Sequence, residues 1–263
     1  ISAPATARWR DGREKTAMSD AIKVTVEDHV GTITFNRPES RNAFTLEMLE
    51  ECAGVLARFR DDPRIRVIVL TGAGESFCAG GDVKKMGRAT TVVERKSDLW
   101  KRMQVVPKML ATVDKPVIAM INGDAVGGGM DIALMCDIRV AAETARFSQA
   151  YVRLGLVPGD GGAFFLARLV GLGRALELLL TADFIDAREA ERIGLVNHCV
   201  PRAELEAKAY GIARKIAALP PLGVQTTKRL TYESFQNEMI VALELASSQA
   251  AIMATTDDHR EAV

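Results

Sequence analysis

Hydrophobic and polar residues alternate along residues 24–26 and again along 32–35. A period of two is typical of strands with one buried face, so the pattern predicts two strands joined by a short turn. Residues 42–60 follow a helical period instead, and residues 66–71 form an apolar run typical of a strand buried on both faces. The apolar face of the predicted helix carries Leu46, Leu49, Ala53, Leu56 and Phe59. The order strand, strand, helix, strand favours an α/β fold.

Helices become more frequent towards the end of the chain. The later predicted strands are 117–122, 138–141 and 195–200. The later predicted helices are 92–110, 130–136, 163–170, 174–180, 187–193 and 203–253, the last broken at Pro220 and Pro221. We therefore predict a core over residues 22–200 followed by a helical region over 201–263. Residues 1–21 begin without Met and lack apolar periodicity, so we expect an expression remnant or a disordered extension.

Charge and composition exclude several classes of protein. The 34 Lys and Arg balance the 34 Asp and Glu, which argues against a nucleic-acid or anionic-membrane partner. No apolar run approaches the roughly 20 residues that cross a bilayer. The four cysteines are scattered without C-x-x-C spacing and the three histidines fit no catalytic triad or metal motif, so we expect free thiols, a reducing compartment and no metal.

Two glycine-rich turns follow predicted strands, over residues 72–82 and 123–131. Glycine lets a backbone approach a ligand and turn its N–H groups outward, and a helix that begins on such a turn adds its positive end. Two such turns meeting at one place can hold a carbonyl oxygen between two amides as an oxyanion hole. The alternative is that the glycines serve tight packing alone. Neither turn fits G-x-G-x-x-G or a P-loop, which disfavours nucleotide binding.

Six motifs together carry a resemblance to a known family. They are NRPESRNA at 36–43, SFCAGGDV at 76–83, KPVIAMING at 115–123, GGGMD at 127–131, CDIR at 136–139 and LVPG at 156–159. In order and spacing they resemble the enoyl-CoA hydratase/isomerase (crotonase) family over about residues 22–263. The resemblance implies a crotonase-like spiral of strand-strand-helix units, a helical C-terminal region that forms a homotrimer or a dimer of trimers, and an acyl-CoA thioester substrate. Coenzyme A is then part of the substrate, and no separate cofactor is expected.

The resemblance also implies specific binding residues. The thioester oxygen is expected between the amides of Gly81 and Gly128. The predicted CoA- and substrate-binding residues are Arg41, Ala43, Ala79, Gly81, Asp82, Val83, Lys84 and Gly128. Lys84, Lys85 or Arg41 is expected near the phosphates of CoA. The chain stops at Val263, short of the family's usual basic C-terminal helix, so a CoA contact from that helix is expected to be missing.

The catalytic positions depart from the family pattern. Hydratases of this family place two glutamates over the double bond, whereas this chain has Asp131 and Tyr151 there. A phenol with a reference pKa of about 10 is a poor substitute for a carboxylate. Asp160 is the candidate for the missing carboxylate, and we predict Asp131, Asp160 and Tyr151 as catalytic residues.

Each catalytic candidate has a structural alternative. Asp160 also suits the N-cap of the helix that follows, and Asp131 suits the first turn of its own helix. Tyr151 also suits the wall of an apolar pocket. Cys78 is a possible nucleophile, but no histidine is near it in sequence and a packed small side chain is the better interpretation.

We predict an enzyme that hydrates 2-enoyl-CoA thioesters in acyl-CoA degradation through an oxyanion-stabilised enolate. Double-bond isomerisation is the alternative, since one or two acids suffice for it and no water need be activated. Acyl-CoA hydrolysis, or acyl-CoA binding with little catalysis, is a further alternative. We expect Arg153 and residues 87–102 to shape the acyl pocket. A cytoplasmic location is expected, with the mitochondrial matrix as the alternative.

Overall fold

The computed structural model describes residues 19–82 and 91–262 of the chain. Its strands are β1 (Ile22–Glu27), β2 (Val30–Phe35), β3 (Val67–Gly72), β4 (Ser76–Cys78), β5 (Val117–Ile121), β6 (Asp124–Val126), β7 (Ile138–Ala142), β8 (Arg146–Ser148), β9 (Ile185–Asp186) and β10 (His198–Val200). Its α-helices are α1 (Leu46–Asp61), α2 (Val92–Asp98), α3 (Val105–Leu110), α4 (Gly128–Met135), α5 (Gly162–Val170), α6 (Leu172–Thr181), α7 (Ala187–Arg192), α8 (Leu205–Ala217), α9 (Pro221–Ser234), α10 (Met239–Met253) and α11 (Asp257–Ala262). None of the helices in these ranges has the length and hydropathy needed to cross a membrane.

β1 and β2 form the predicted antiparallel hairpin. Its turn consists of Asp28 and His29, which have φ values of 49° and 63°. Two successive residues with positive φ mark a type I′ turn, whose twist matches that of the flanking strands. The turn is shorter than the segment 27–31 expected from the sequence because both strands extend further towards each other.

The chain alternates between two sheets. Within the described residues, the larger sheet has six strands in the order β1-β2-β3-β5-β7-β10, and the smaller has the order β4-β6-β8-β9. β3, β5 and β7 are parallel neighbours in the larger sheet, and each is followed by a short strand of the smaller sheet. The resulting spiral of long strand, short strand and helix confirms the predicted mixed α/β fold.

Both faces of the larger sheet are buried, as the continuous apolar runs predict. Ile68 and Leu70 of β3 point into a core with α1 and α4, whereas Val67 and Val69 pack with residues of α8 on the other face. α8 meets the sheet with small side chains four residues apart, Ala209, Ala213 and Ala217. Such double-sided burial is typical of parallel sheets.

Two long predicted helices are interrupted in the structure. Residues 92–110 form α2 and α3 with a π-helical turn, Leu99–Met103, between them. Residues 203–253 form α8, α9 and α10, with a second break over 235–238 in addition to the one predicted at the two prolines. Ser234 precedes this break and Asn237 lies within it, and both are weaker helix formers than alanine or leucine. Ser19 and Asp20, within the predicted extension, hydrogen-bond to Glu51 and Asn36.

The largely buried carboxylate of Asp137 links α9 to the core. Its Oδ2 accepts from the backbone N–H of Val117 at 2.7 Å and pairs with Lys228 Nζ at 2.7 Å, and its Oδ1 accepts from the Tyr232 hydroxyl at 2.9 Å. The side chains of Asp137 and Lys228 are only 16% and 14% exposed. These contacts also border a cavity of about 640 Å³ between α8, α9 and the sheet.

We predict that Asp137→Asn lowers the free energy of unfolding by about 2–4 kcal/mol, because it leaves the Lys228 ammonium without its anion in a largely buried place. The matched control is Asp114→Asn, which removes the exposed partner of Arg229 on the same helix and should cost at most about 1 kcal/mol. Urea unfolding followed by circular dichroism measures both. Equal costs for the two variants would contradict the structural role of Asp137.

Candidate active site

The two glycine-rich turns touch each other through their backbones. A methyl group added at Gly80 would lie 2.8 Å from the carbonyl oxygen of Val126 and 3.3 Å from the backbone nitrogen of Gly128. One added at Gly129 would lie 2.1 Å from the carbonyl oxygen of Cys78. Only glycine permits these approaches, and Gly80 in addition has a φ of 87°. The turns are therefore brought together, as the sequence predicts.

Gly81 and Gly128 lie on either side of this contact. Gly81 forms a parallel bridge with Phe44, in which the bonding groups are the carbonyl of Gly80 and the N–H of Asp82. Gly128 begins α4, where backbone N–H groups have no partner inside the helix. Among residues 19–82 and 91–262, neither the Gly81 nor the Gly128 N–H donates to another group. Both amides are thus available for a ligand oxygen, and their role as an oxyanion hole stays a prediction.

Several of the predicted CoA-binding residues lie together at the first glycine-rich turn. The backbone N–H of Ala79 donates to the carbonyl of Arg41 at 3.0 Å. Arg37 donates to the carbonyl of Ala43 at 2.6 Å and pairs with Asp82 at 3.1 Å. Arg37 was not among the predicted site residues, although it lies inside the motif at 36–43. Val83, Lys84 and Lys85 lie outside the described residues.

Asp131 is a fully buried carboxylate in the first turn of α4. Its Oδ1 accepts from Gln149 Nε2 at 2.7 Å, and its Oδ2 accepts from the Tyr151 hydroxyl at 2.8 Å. Burial raises the pKa of Asp131 to about 6, although these two hydrogen bonds and the backbone amides of Gly162 and Asp160 oppose the rise. Gln149 itself is buried. Sequence reasoning missed it because a lone glutamine carries no recognisable signal.

Asp160 lies against the same tyrosine. Its Oδ2 is 3.4 Å from the Tyr151 hydroxyl and 3.2 Å from where a methyl group on Gly128 would stand. Its Oδ1 is buried without a hydrogen-bond partner among the described residues. Burial, followed by the charge of Asp131, raises the pKa of Asp160 to about 7. The structure therefore brings all three predicted catalytic residues together.

The helix-capping alternative for Asp160 is wrong. The N-cap of α5 is Gly161, with a φ of 108° and no side-chain cap hydrogen bond. This positive φ turns the chain so that the carboxylate of Asp160 points to Tyr151 instead of to the helix. The first-turn position of Asp131 is confirmed, and its buried contacts show that it does more than face the helix end.

Cys78 is a packed side chain and no nucleophile. It is fully buried, and its Sγ lies 3.2 Å from the carbonyl oxygen of Asn42. Burial raises its pKa to about 12, so the thiolate is not populated near neutrality. All four cysteines are free thiols.

Of the residues predicted to shape the acyl pocket, only some lie near the site in the described ranges. Arg153 pairs with Asp183 at 3.6 Å and lies 5.8 Å from the ring centre of Phe184, and neither contact involves Asp131 or Asp160. Residues 87–90 lie outside the described ranges. At the end of the π-helical turn, Gln104 Nε2 donates to the carbonyl of Gly159 at 2.5 Å. This contact ties the segment after α2 to the loop that carries Asp160.

Sequence comparison then identifies the family. The sequence model described as enoyl-CoA hydratase/isomerase matches residues 25–263. The chain belongs to this family. It is 40% identical to the short-chain-enoyl-CoA hydratase of Clostridium acetobutylicum, over 90% of each chain. It is 42% identical to the (E)-benzylidenesuccinyl-CoA hydratase of Thauera aromatica, over 79% of this chain and 80% of that protein.

Solved structures agree with this family membership. The crystal structure of enoyl-CoA hydratase from Bacillus anthracis superimposes with a TM-score of 0.86 at 35% identity, covering 92% of this chain and 94% of that one. The crotonase-like fold expected from the sequence is therefore confirmed for this enoyl-CoA hydratase/isomerase family member. At its site, two aspartates and a tyrosine stand in one cluster.

Gly162 offers a test of how tightly this cluster is packed. A methyl group at Gly162 would lie 2.2 Å from Oδ1 of Asp131, so Gly162→Ala is expected to lower the free energy of unfolding by about 1–3 kcal/mol. At Gly173 in α6 no atom lies within 4 Å of such a methyl group, and Gly173→Ala should stabilise by about 0.5–1 kcal/mol. Urea unfolding measures both, and a stable Gly162→Ala variant would contradict the packing.

Proposed function

We propose that the protein hydrates 2-enoyl-CoA thioesters through an enolate held by the backbone amides of Gly81 and Gly128. The observation that carries the proposal is the pair of buried carboxyl groups, Asp131 and Asp160, next to Gly128. Hydration needs a base that takes a proton from water and an acid that gives one to the α-carbon. The names of the relatives, which include two hydratases of enoyl-CoA-type substrates, support the same reaction.

The different surroundings of the two aspartates support different roles for them, one as acid and one as base. Asp131 receives hydrogen bonds from Gln149 and Tyr151, which favour its ionised form. Within the described parts of the chain, Asp160 has only the distant Tyr151 hydroxyl as a donor, and its pKa is raised further, to about 7, by burial and by the charge of Asp131. Near neutral pH the pair therefore holds one proton, with Asp160 as the acid and Asp131 as the base.

In this mechanism the thioester oxygen accepts from the N–H groups of Gly81 and Gly128, and the α-carbon faces Asp160. A water oxygen bonds to the β-carbon as its proton passes towards Asp131. The enolate then takes the proton of Asp160 at the α-carbon. The two amides stabilise the charge that develops on the thioester oxygen, and removing such a donor typically costs about 10²–10³ in rate.

Double-bond isomerisation is the second candidate, and one observation favours it. Oδ1 of Asp160 is buried without a partner among the described residues, so one carboxyl group is free to take a proton from one carbon and return it to another. Such a shift needs no activated water. Hydration uses both aspartates, whereas isomerisation needs Asp160 alone.

CoA binding and assembly complete the proposal. Arg41, Ala43, Ala79 and Asp82 are proposed to line the CoA side of the site, with coenzyme A entering as part of the substrate and no separate cofactor. A homotrimer or dimer of trimers and a cytoplasmic location stay predictions. In support of assembly, several apolar side chains of the last helices and their connections are exposed: Leu219, Leu222, Phe235, Met239, Ile240, Leu243 and Ile252.

The test is product analysis after incubation with crotonyl-CoA and with 3-hexenoyl-CoA. We expect 3-hydroxybutyryl-CoA from the first, and a kcat about 10²–10⁴ lower in both Asp131→Asn and Asp160→Asn. Asp183→Asn, an exposed aspartate outside the cluster, is the control and should retain wild-type turnover. Conversion of 3-hexenoyl-CoA alone would mean isomerisation, free CoA would mean hydrolysis, and no product from either would mean a binding protein.

A further inference from the structure

Asp131 has no direct route to a substrate in the structure. It is 0% exposed, and its Oδ2 is covered by the Tyr151 hydroxyl at 2.8 Å. Gln149 occupies its other oxygen at 2.7 Å. A methyl group at Gly162 would lie only 2.2 Å from that same oxygen, so the backbone closes the remaining side. Any proton that reaches Asp131 must pass through a neighbouring group.

Tyr151 is the neighbour with a suitable position and chemistry. Its hydroxyl lies 2.8 Å from Oδ2 of Asp131 and 3.4 Å from Oδ2 of Asp160, so it stands between the two carboxyl groups. A phenol has one proton to donate and lone pairs with which to accept. It can therefore bond to both aspartates at once only when one of them carries a proton. The chain from protonated Asp160 through Tyr151 to ionised Asp131 meets this condition.

We propose that Tyr151 relays protons between the buried Asp131 and the reaction side of the site, where Asp160 lies. The proposal rests on the proposed hydration. It makes Tyr151 a positioning and relay residue, and it gives a role to a hydroxyl that occupies the place of a carboxylate. It also explains how Asp131 acts as a base without touching the water that it activates.

The proton transfers of the relay return the enzyme to its starting state after one turnover. As the water oxygen bonds to the β-carbon, a water proton passes to the Tyr151 oxygen while the Tyr151 proton passes to Oδ2 of Asp131. Asp160 gives its proton to the α-carbon, which leaves Asp131 neutral and Asp160 ionised. Asp131 then returns a proton to the Tyr151 oxygen as Tyr151 gives its own to Oδ2 of Asp160. The enzyme is back in its starting state, and water has been added across the double bond.

The electrostatic surroundings do not provide another carrier. The titratable side chains that act on Tyr151 are Asp131 and Asp160. Those that act on Asp160 are Asp131 and Tyr151, and the one that acts on Asp131 is Tyr151. Among the described residues no Lys, Arg or His side chain contributes to these interactions. Burial and the two carboxylates raise the pKa of Tyr151 above its usual value, so the phenol passes protons without becoming a stable phenolate.

The first experiment compares Tyr151→Phe with Tyr232→Phe. Tyr232 also donates to an aspartate, Asp137 at 2.9 Å, and lies outside the site. We expect Tyr151→Phe to lower kcat on crotonyl-CoA about 10²–10³-fold with KM within about threefold, and Tyr232→Phe to keep wild-type kcat. Thermal unfolding and binding of butyryl-CoA show whether each variant is folded. A folded Tyr151→Phe variant with wild-type kcat overturns the relay.

The second experiment needs no variant. In the relay, two protons move through the phenol in the same step. We therefore expect the kcat of the wild-type enzyme to fall along a curve, and not a straight line, as the deuterium fraction of the solvent rises. A linear dependence, or none, contradicts the relay. The outcomes also separate the two proposals. If Asp131→Asn and Asp160→Asn abolish turnover and Tyr151→Phe does not, the relay alone is wrong; if neither aspartate matters, the proposed hydration is wrong.

Discussion

The backbone contact between the two glycine-rich turns is the constraint on which the site depends. Gly80 approaches the carbonyl of Val126, and Gly129 approaches the carbonyl of Cys78, at distances that no side chain allows. The contact follows from the spiral, in which parallel β3 and β5 lead into the short parallel strands β4 and β6. Because the turns meet there, the start of α4 lies next to the first turn. Asp131 and Asp160 lie beside the start of α4, Asp131 on the helix itself and Asp160 on the loop before α5.

The second constraint is electrostatic. Two carboxyl groups share a buried site without a cation among their interacting groups, so ionising both is unfavourable. The hydrogen bonds are unequal: in the described ranges Asp131 has Gln149 and Tyr151 as side-chain donors, whereas Asp160 has only the more distant phenol. In the proposed mechanism, this inequality gives the two identical side chains different roles. It is the usual way in which a protein obtains an acid and a base from one residue type.

Much of this arrangement could be predicted from the sequence, because periodicity and glycine placement report local structure. The buried strand predicted at 66–71 and observed at Val67–Gly72, and the helix after the second turn, follow from such patterns. The choice of Asp131 and Asp160 as site residues came from the family resemblance. What could not be predicted depends on contacts between distant segments. Gln149 and Arg37 are site residues only because folding places them beside Asp131 and Asp82. The capping interpretation of Asp160 failed because Gly161, with its positive φ, took the N-cap position.

In the proposed mechanism, Asp131 and Asp160 hold one proton between them near neutral pH. Carbon-13 NMR of the protein labelled at its aspartate carboxyl carbons measures this directly, with Asp131→Asn and Asp160→Asn used to assign the signals. A shared proton predicts two coupled titrations above pH 5, with Asp160 losing its proton at the higher pH and both groups ionised above about pH 8. Two carboxyl groups that both titrate near pH 4, as exposed aspartates do, would contradict it.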